Sequence, residues 1–178
     1  MGTTSTLVTL EEYLNTSYEP DMDFVDGVLV RRNVGTPSHG RLQTRVIVHL
    51  DQFRESRRIE VFTETRLRVT KTGRHRIPDV MVVAKPFHKG KAIWDVPAII
   101  VEIKSPEDTL DDILDRCFEY EALGVLNILV MDPDHRLSWF FEHGGFRVLT
   151  GDSVSLTLPD RPAIEFPFGA MFAELDEE

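Results

Sequence analysis

The sequence predicts an α/β (α+β) chain, a mixed β-sheet flanked by helices. Three observations carry this. Apolar, strand-like runs stand at residues 77–84, 98–104 and 127–131. Two longer segments, one after Pro37 and one after Pro106, repeat apolar residues at helical intervals. Turn signals at Asp26-Gly27 and at His143-Gly144-Gly145 mark two hairpins.

The elements follow in order. Thr9, with Glu12 three residues on, forms a capping box and predicts a short helix to about Asn15. Phe24-Val25-Asp26-Gly27-Val28-Leu29-Val30 reads as a hairpin. Pro37-Ser38-His39 then precedes a long helix with the apolar stripe Leu42, Val46, Leu50 and Phe53; Arg41, Arg45 and Arg54 lie largely off it. Residues 59–69 alternate as one strand, with Ile59, Val61, Leu67 and Val69 on one face. Lys71-Thr72-Gly73-Arg74 is a basic turn. The strands 77–84 and 98–104 follow, joined by a loop through Lys85, Lys89 and Lys91. Pro106 and Asp108 introduce a second helix with the stripe Leu110, Ile113, Leu114, Cys117, Phe118 and Glu121, stopped at Gly124. The return to strand 127–131 predicts a right-handed crossover between parallel strands. A hairpin pairs 137–142 with 146–150, and the last third holds more β-like pieces and an acidic tail. The length of 178 residues predicts a single domain over 1–178, its core at about 9–150 and a β-rich C-terminal extension beyond.

Composition narrows the function. The apolar fraction of 42% is that of a globular core and excludes a disordered chain. No run of about 18 apolar residues predicts a membrane-spanning helix. The first six residues lack the basic and apolar regions of a secretory signal. Gly2 only begins a myristoylation match, and a frayed polar start is the expectation there. The single cysteine, Cys117, is read as a small core residue, in keeping with a reducing cytoplasm. The net charge is −10, which argues against a nucleic-acid binder until its distribution is read. Between Arg31 and Lys104 stand 16 Lys and Arg against 7 acids, whereas the remainder holds 4 basic and 23 acidic residues. Such asymmetry fits one basic and one acidic face; it equally fits a solvated mixture.

The chemistry concentrates where charge meets apolar strand. Ile77-Pro78-Asp79-Val80 opens one run; Ile99-Ile100-Val101-Glu102-Ile103-Lys104 closes the next. Residues two apart in a strand share a face, so Glu102 and Lys104 project side by side while Val101 and Ile103 point the other way. With Asp79 on a neighbouring strand, two carboxylates and the Ile103 backbone carbonyl could hold Mg²⁺, for which Mn²⁺ can substitute. The metal would polarise a phosphoryl oxygen and acidify bound water. Lys104 would orient that water or offset charge on the pentacoordinate phosphorus. An ordinary surface pair of Glu102 with Lys104 has the same spacing. His39 is read either as a metal ligand or general base, or as a solvated helix-cap residue. Arg116 and Tyr120, four apart on one helix face, either face the site or, for Tyr120, pack in the core. Lys71, Arg74, His75 and Arg76 either grip a DNA backbone or form an exposed polar hairpin. Trp94 and Trp139 are read as packing residues, with no stacking array for single strands.

Ile77-Pro78-Asp79 with Glu102-Ile103-Lys104 resembles the signature of the PD-(D/E)-x-K nucleases, the restriction-endonuclease-like superfamily. More closely the chain resembles the Uma-two family of endonucleases. The shared features are Phe24-Val25-Asp26-Gly27, Pro37-Ser38 with His39, Pro78-Asp79-Val80 and Val101-Glu102-Ile103-Lys104-Ser105-Pro106. Asp115-Arg116 with Tyr120, Gly124-Val125 and Asp132-Pro133 complete them, over roughly residues 9–150. The resemblance implies a Mg²⁺-dependent endonuclease acting on DNA, with Asp79 and Glu102 as metal ligands, Lys104 as catalytic lysine, and a homodimer to cut both strands. Two departures stand out. The superfamily's early-helix acid has only Asp51 as a counterpart, so Asp26 or His39 is the expected stand-in. The family's Val-Pro-Glu-Tyr-Trp segment becomes Val125-Leu126-Asn127-Ile128-Leu129, a change expected to affect strand packing more than chemistry. Two other readings stay open: a non-catalytic binding or assembly module on the same fold, and a metal-dependent hydrolase of RNA or nucleotides.

Overall fold

A computed structural model describes residues 7–70 and 73–176. Lys71 and the expectation for Gly2 therefore lie outside the described residues. The elements run α1 (Leu10–Asn15), β1 (Met22–Val25), β2 (Val28–Arg31), α2 (Pro37–Asp51), β3 (Ile59–Thr63), β4 (Leu67–Arg68), β5 (His75–Arg76) and β6 (Val80–Ala84). They continue as β7 (Ile99–Ile103), α3 (Leu110–Leu123), β8 (Asn127–Asp132), β9 (Leu137–Glu142), β10 (Gly145–Val148), β11 (Val154–Leu158), β12 (Arg161–Phe166) and α4 (Phe168–Ala173).

The local signals have physical counterparts. The Thr9–Glu12 capping box closes the start of α1. Asp26 and Gly27 both take positive φ, 51° and 90°, as a two-residue hairpin turn between β1 and β2 demands. Thr36 caps α2 and Pro37 occupies its first turn, where a missing N–H costs nothing. Thr109 and Asp112 form a capping box on α3, and Gly124 ends it at φ 100°, a conformation that a Cβ would disfavour.

A six-stranded sheet in the order β10-β9-β8-β7-β6-β3 is the centre of the molecule. Its central pair, β7 and β8, is parallel with α3 in the connection; the other neighbours are antiparallel. Alternation divides the apolar side chains between two faces. Ile99, Val101 and Ile103 pack with Leu42, Val46 and Leu50 of α2 and with Leu156, Ile164, Phe166 and Phe172 from the C-terminal hairpin and α4. Ile100, Ile128 and Val130 pack with Ile113, Cys117 and Tyr120 of α3. A small sheet, β2-β1-β5-β4, stands beside the large one. No helix among the described residues is long and apolar enough to cross a membrane.

One expected strand is two. Residues 59–69 divide into β3 and β4, which belong to different sheets. Glu64 breaks them with φ 44°, so Ile59 joins the α2 face and Leu67 and Val69 join the α3 face. The run 77–84 likewise becomes strand only at Val80, leaving Asp79 at its mouth. Asn127 performs the packing role expected of its segment. Its side chain donates to the carbonyls of Ala98 (2.6 Å) and Thr157 (2.7 Å) and accepts from Thr157 N–H (2.9 Å). It thereby ties the C-terminal hairpin to the central sheet.

Candidate active site

The ends of β6 and β7 bring two buried acids to one polar cavity of about 240 Å³. Asp79, 3% exposed, stands one residue before β6; Glu102, 4% exposed, is the penultimate residue of β7. The β6–β7 ladder pairs only Val80–Val82 with Ile99–Val101, so the Ile103 amide lies beyond its last rung. Asp79 Oδ2 accepts that N–H at 2.7 Å. Its Oδ1 accepts Arg32 Nη2 at 2.7 Å, and His39 Nε2 lies 3.4 Å from Oδ2. Gln43 donates to the Asp79 carbonyl at 3.0 Å. His39 and Gln43 are four apart in α2 and so share the face turned to the site.

Glu102 looks to the opposite face, toward α3. Tyr120 donates its hydroxyl to Glu102 Oε1 at 2.5 Å, and Arg116 Nε lies 3.6 Å from Oε2. Asp108 holds the far side of Arg116 at 3.5 Å and accepts the Ser105 N–H at 2.8 Å, fixing the loop after β7.

These surroundings drive the two acids apart. Burial opposes ionisation of Asp79, yet the hydrogen bond from His39, the charges of Arg32 and His39 and the Ile103 N–H outweigh it and hold its pKa below the usual range. Burial likewise opposes the charged His39 ring, but Asp79 and the Ile103 carbonyl raise its pKa on balance. Glu102 is pushed up to about 7, by burial first and then by the charge of Asp79; Arg116, the Tyr120 hydrogen bond and Arg32 only partly offset this. Titratable pairs separated in this way are typical of functional sites.

The cavity thus gathers Asp79, Glu102, Ile103, His39 and Arg116, with Tyr120 behind Glu102. The other expected residues are elsewhere. Lys104 does share the α3 face with Glu102, but its ammonium turns to Asp132 (3.7 Å), and it borders a small pocket lined by Leu110, Ile113, Val130 and Trp139. Asp26 is exposed on its hairpin and accepts from Arg74 Nε at 2.8 Å. Arg74 also pairs with Glu119 (2.9 Å). Arg76 is buried between Glu119 (2.6 Å) and Asp23 (3.1 Å), and His75 is buried beside Tyr13 and Phe24. The basic turn is therefore largely consumed by the protein's own acids and core. Trp139 packs on the α3-side core as expected, whereas Trp94 stays outside both cores and is 53% exposed.

Sequence reasoning missed Arg32, Gln43, Glu64 and Asp108, all of which line the cavity. Gln43 was findable from its interval to His39. Arg32 and Glu64 come from separate elements, and no local pattern links them to Asp79.

Among the described residues no group of three or more His, Cys, Asp or Glu side chains is arranged to hold a metal ion. Asp79, Glu102 and the Ile103 backbone carbonyl, all at the cavity, make a hard-oxygen set. Mg²⁺ keeps several waters and takes only one or two carboxylates, so this donor set fits it. The fields of both acids already fall on one cation, the Arg32 guanidinium.

The comparisons with known proteins agree with this architecture. A crystal structure described as a putative nuclease belonging to DUF820 from Anabaena variabilis ATCC 29413 superposes with a TM-score of 0.76. It is 17% identical, over 94% of this chain and 99% of that one, and shows the fold to be restriction-endonuclease-like. A cryo-EM structure of a DrdV–DNA complex overlaps at a TM-score of 0.38 with 15% identity, over 79% of this chain and 14% of that one, too low a score to bear weight. No curated protein matches. The family model described as "Uma2: Putative restriction endonuclease" matches residues 10–164, and the chain belongs to that family.

Proposed function

We propose that this chain is a Mg²⁺-dependent endonuclease that hydrolyses DNA phosphodiester bonds at the Asp79–Glu102 cavity. One observation carries the reading: two buried acids from adjacent strands meet at one polar cavity with pKa values driven apart. Family membership supports a nuclease. Asp79, Glu102 and the Ile103 carbonyl would hold the ion, which supplies a polarised phosphoryl oxygen and a more acidic bound water.

The chain's own residues set the stage. Asp79 stays ionised because Arg32, His39 and the Ile103 amide favour its charge. Tyr120 and Arg116 orient Glu102 and favour its carboxylate form. Arg32 must leave Asp79 Oδ1 for a second cation to take its place. Lys104 serves the reaction by swinging its flexible stem from Asp132 toward the cavity. A homodimer would give a duplex two such cavities, and a monomeric sedimentation profile at micromolar concentration counts against that part. A cytoplasmic setting fits the buried, unpaired Cys117.

The test is cleavage of plasmid DNA with Mg²⁺ or Mn²⁺ by the wild type, Asp79→Asn, Glu102→Gln and Lys104→Ala. Each variant is expected to lose about a hundredfold or more in rate. Equal nicking by all four would identify a contaminant. Failure of the wild type to cut any DNA form or to bind Mn²⁺ would end the proposal.

One observation favours a second reading, a non-catalytic binding module. Both acids are satisfied without a metal, Asp79 by Arg32 and Ile103 N–H, Glu102 by Tyr120. Absence of Mn²⁺ binding combined with intact DNA or protein binding would select it.

A further inference from the structure

A second cleft lies away from the acids, and its chemistry is the reverse of theirs. It has a volume of about 670 Å³, and Leu14, Ala92 and Trp94 contribute to its walls. Arg68, Lys89 and Lys91 supply positive charge. Most other arginines of the basic half are matched by acids: Arg32 by Asp79, Arg66 by Asp21, Arg74 and Arg76 by Glu119. Arg68, Lys89 and Lys91 have no acid within ion-pair distance among the described residues; Lys91 reaches only Asn15. Asp95, the acid at the rim, is occupied by the His88 backbone N–H (2.8 Å) and faces its ring.

The aromatic floor is held rigidly. Trp94 follows Ile93, whose N–H donates to Arg66 O at 2.7 Å and whose carbonyl accepts Arg68 N–H at 2.9 Å. The segment is thus bonded to β4, with Ala92 and Ile93 buried beneath it. The Arg68 guanidinium carbon lies 4.5 Å from the Trp94 ring centroid, yet the Trp94 residue is still 53% exposed. A flat ring beside unmatched cations is the arrangement that receives an aromatic base carrying a phosphate.

The cleft also leads somewhere. A shallower groove, with Tyr18 and Arg66 among its walls, shares Leu14 and Lys91 with the cleft and Glu64 with the acid cavity. The three depressions thus adjoin one another through shared wall residues, which puts the Trp94 cleft on the approach to the acid cavity.

We propose that the Trp94 cleft binds single-stranded nucleic acid, an unpaired flank of the substrate strand, with a base on the indole and phosphates at Arg68, Lys89 and Lys91. The proposal rests on the nuclease reading for its purpose, but its test does not. The chain has two tryptophans, so Trp139→Phe leaves Trp94 as the sole indole reporter. Fluorescence is titrated in EDTA, where no cleavage occurs, with an oligothymidylate of about twelve nucleotides. Saturable quenching is expected, weakening with salt at a log–log slope of about −2 for three engaged phosphates. Lys89→Ala with Lys91→Ala, both on the exposed loop, should flatten that slope and lower affinity about tenfold. By anisotropy of a labelled oligomer, Trp94→Ala should lose about tenfold in affinity and Trp94→Phe should retain most of it.

Absence of quenching overturns the proposal, as does quenching indifferent to the two lysines. Thymidine monophosphate binding as tightly as the oligomer overturns it in favour of a free nucleotide. Protection of Trp94 by self-association alone, seen in sedimentation, assigns the cleft to a second copy and overturns it too. Oligomer binding without cleavage by the wild type supports the cleft and counts against the nuclease; cleavage without Trp94 quenching does the opposite.

Discussion

At the scale of single residues, the cavity is a contest among charges for Asp79. Arg32 is the resident cation, and under the proposed function a divalent ion would have to displace it. Arg32→Gln should therefore tighten Mn²⁺ binding about tenfold by calorimetry. The same variant should melt lower without metal, because a buried carboxylate loses its partner, and recover when Mn²⁺ is added. His75 supplies a prediction on pH. Burial, then the charges of Arg68 and Arg66, lower its pKa, outweighing its bond to the Gly73 carbonyl; its second ring nitrogen has no partner. The unfolded chain takes up this proton near pH 6.5 while the folded chain resists it, so stability is full above that pH and falls as acid is added. His75→Phe should flatten the dependence of Tm on pH between about 7 and 5. Asp79 and Glu102 were legible in the sequence because an acid joined to an apolar run is conspicuous. The direction of Lys104 was not: strand parity assigns it a face, but nothing local reveals the rival carboxylate of Asp132 on the next strand.

Among the elements, α3 shapes the Glu102 side of the site, since it carries both Arg116 and Tyr120. Its start depends on the reciprocal bonds of Thr109 and Asp112 (3.1 Å and 3.3 Å between backbone and side chain). Thr109→Ala should cost about 1 kcal/mol, read by thermal or urea unfolding followed by far-UV dichroism. Caps, hairpins and apolar stripes were legible because each is written within a few neighbouring residues. The break between β3 and β4 was not. Alternation runs on through Glu64, and only the pairing of Leu67 with β5 and Ile93 assigns that stretch to another sheet.

For the molecule as a whole, much of the sequence-local surplus of positive charge is spent on ion pairs. Acids from distant segments neutralise it: Asp21 and Asp23 from the N-terminal region, Glu119 from α3, Glu174 from the C-terminal end. Counting charges along a chain cannot anticipate such pairings, which only the tertiary fold creates. The boundary of the core had a similar fate, because apolar residues beyond 150 are indistinguishable by pattern from an appendage. Leu156, Leu158, Ile164, Phe166 and Phe172 in fact seal the α2 side of the large sheet. A chain stopped at residue 150 should accordingly be insoluble or rapidly degraded, as sedimentation and limited proteolysis would report. The Asn127 clamp extends that conclusion to anyone trimming this protein for use as a cutting module. Whatever is fused to it must leave the final hairpin free to close over the large sheet, so a junction is safer ahead of α1 than inside the last thirty or so positions, where that cover is still being fastened.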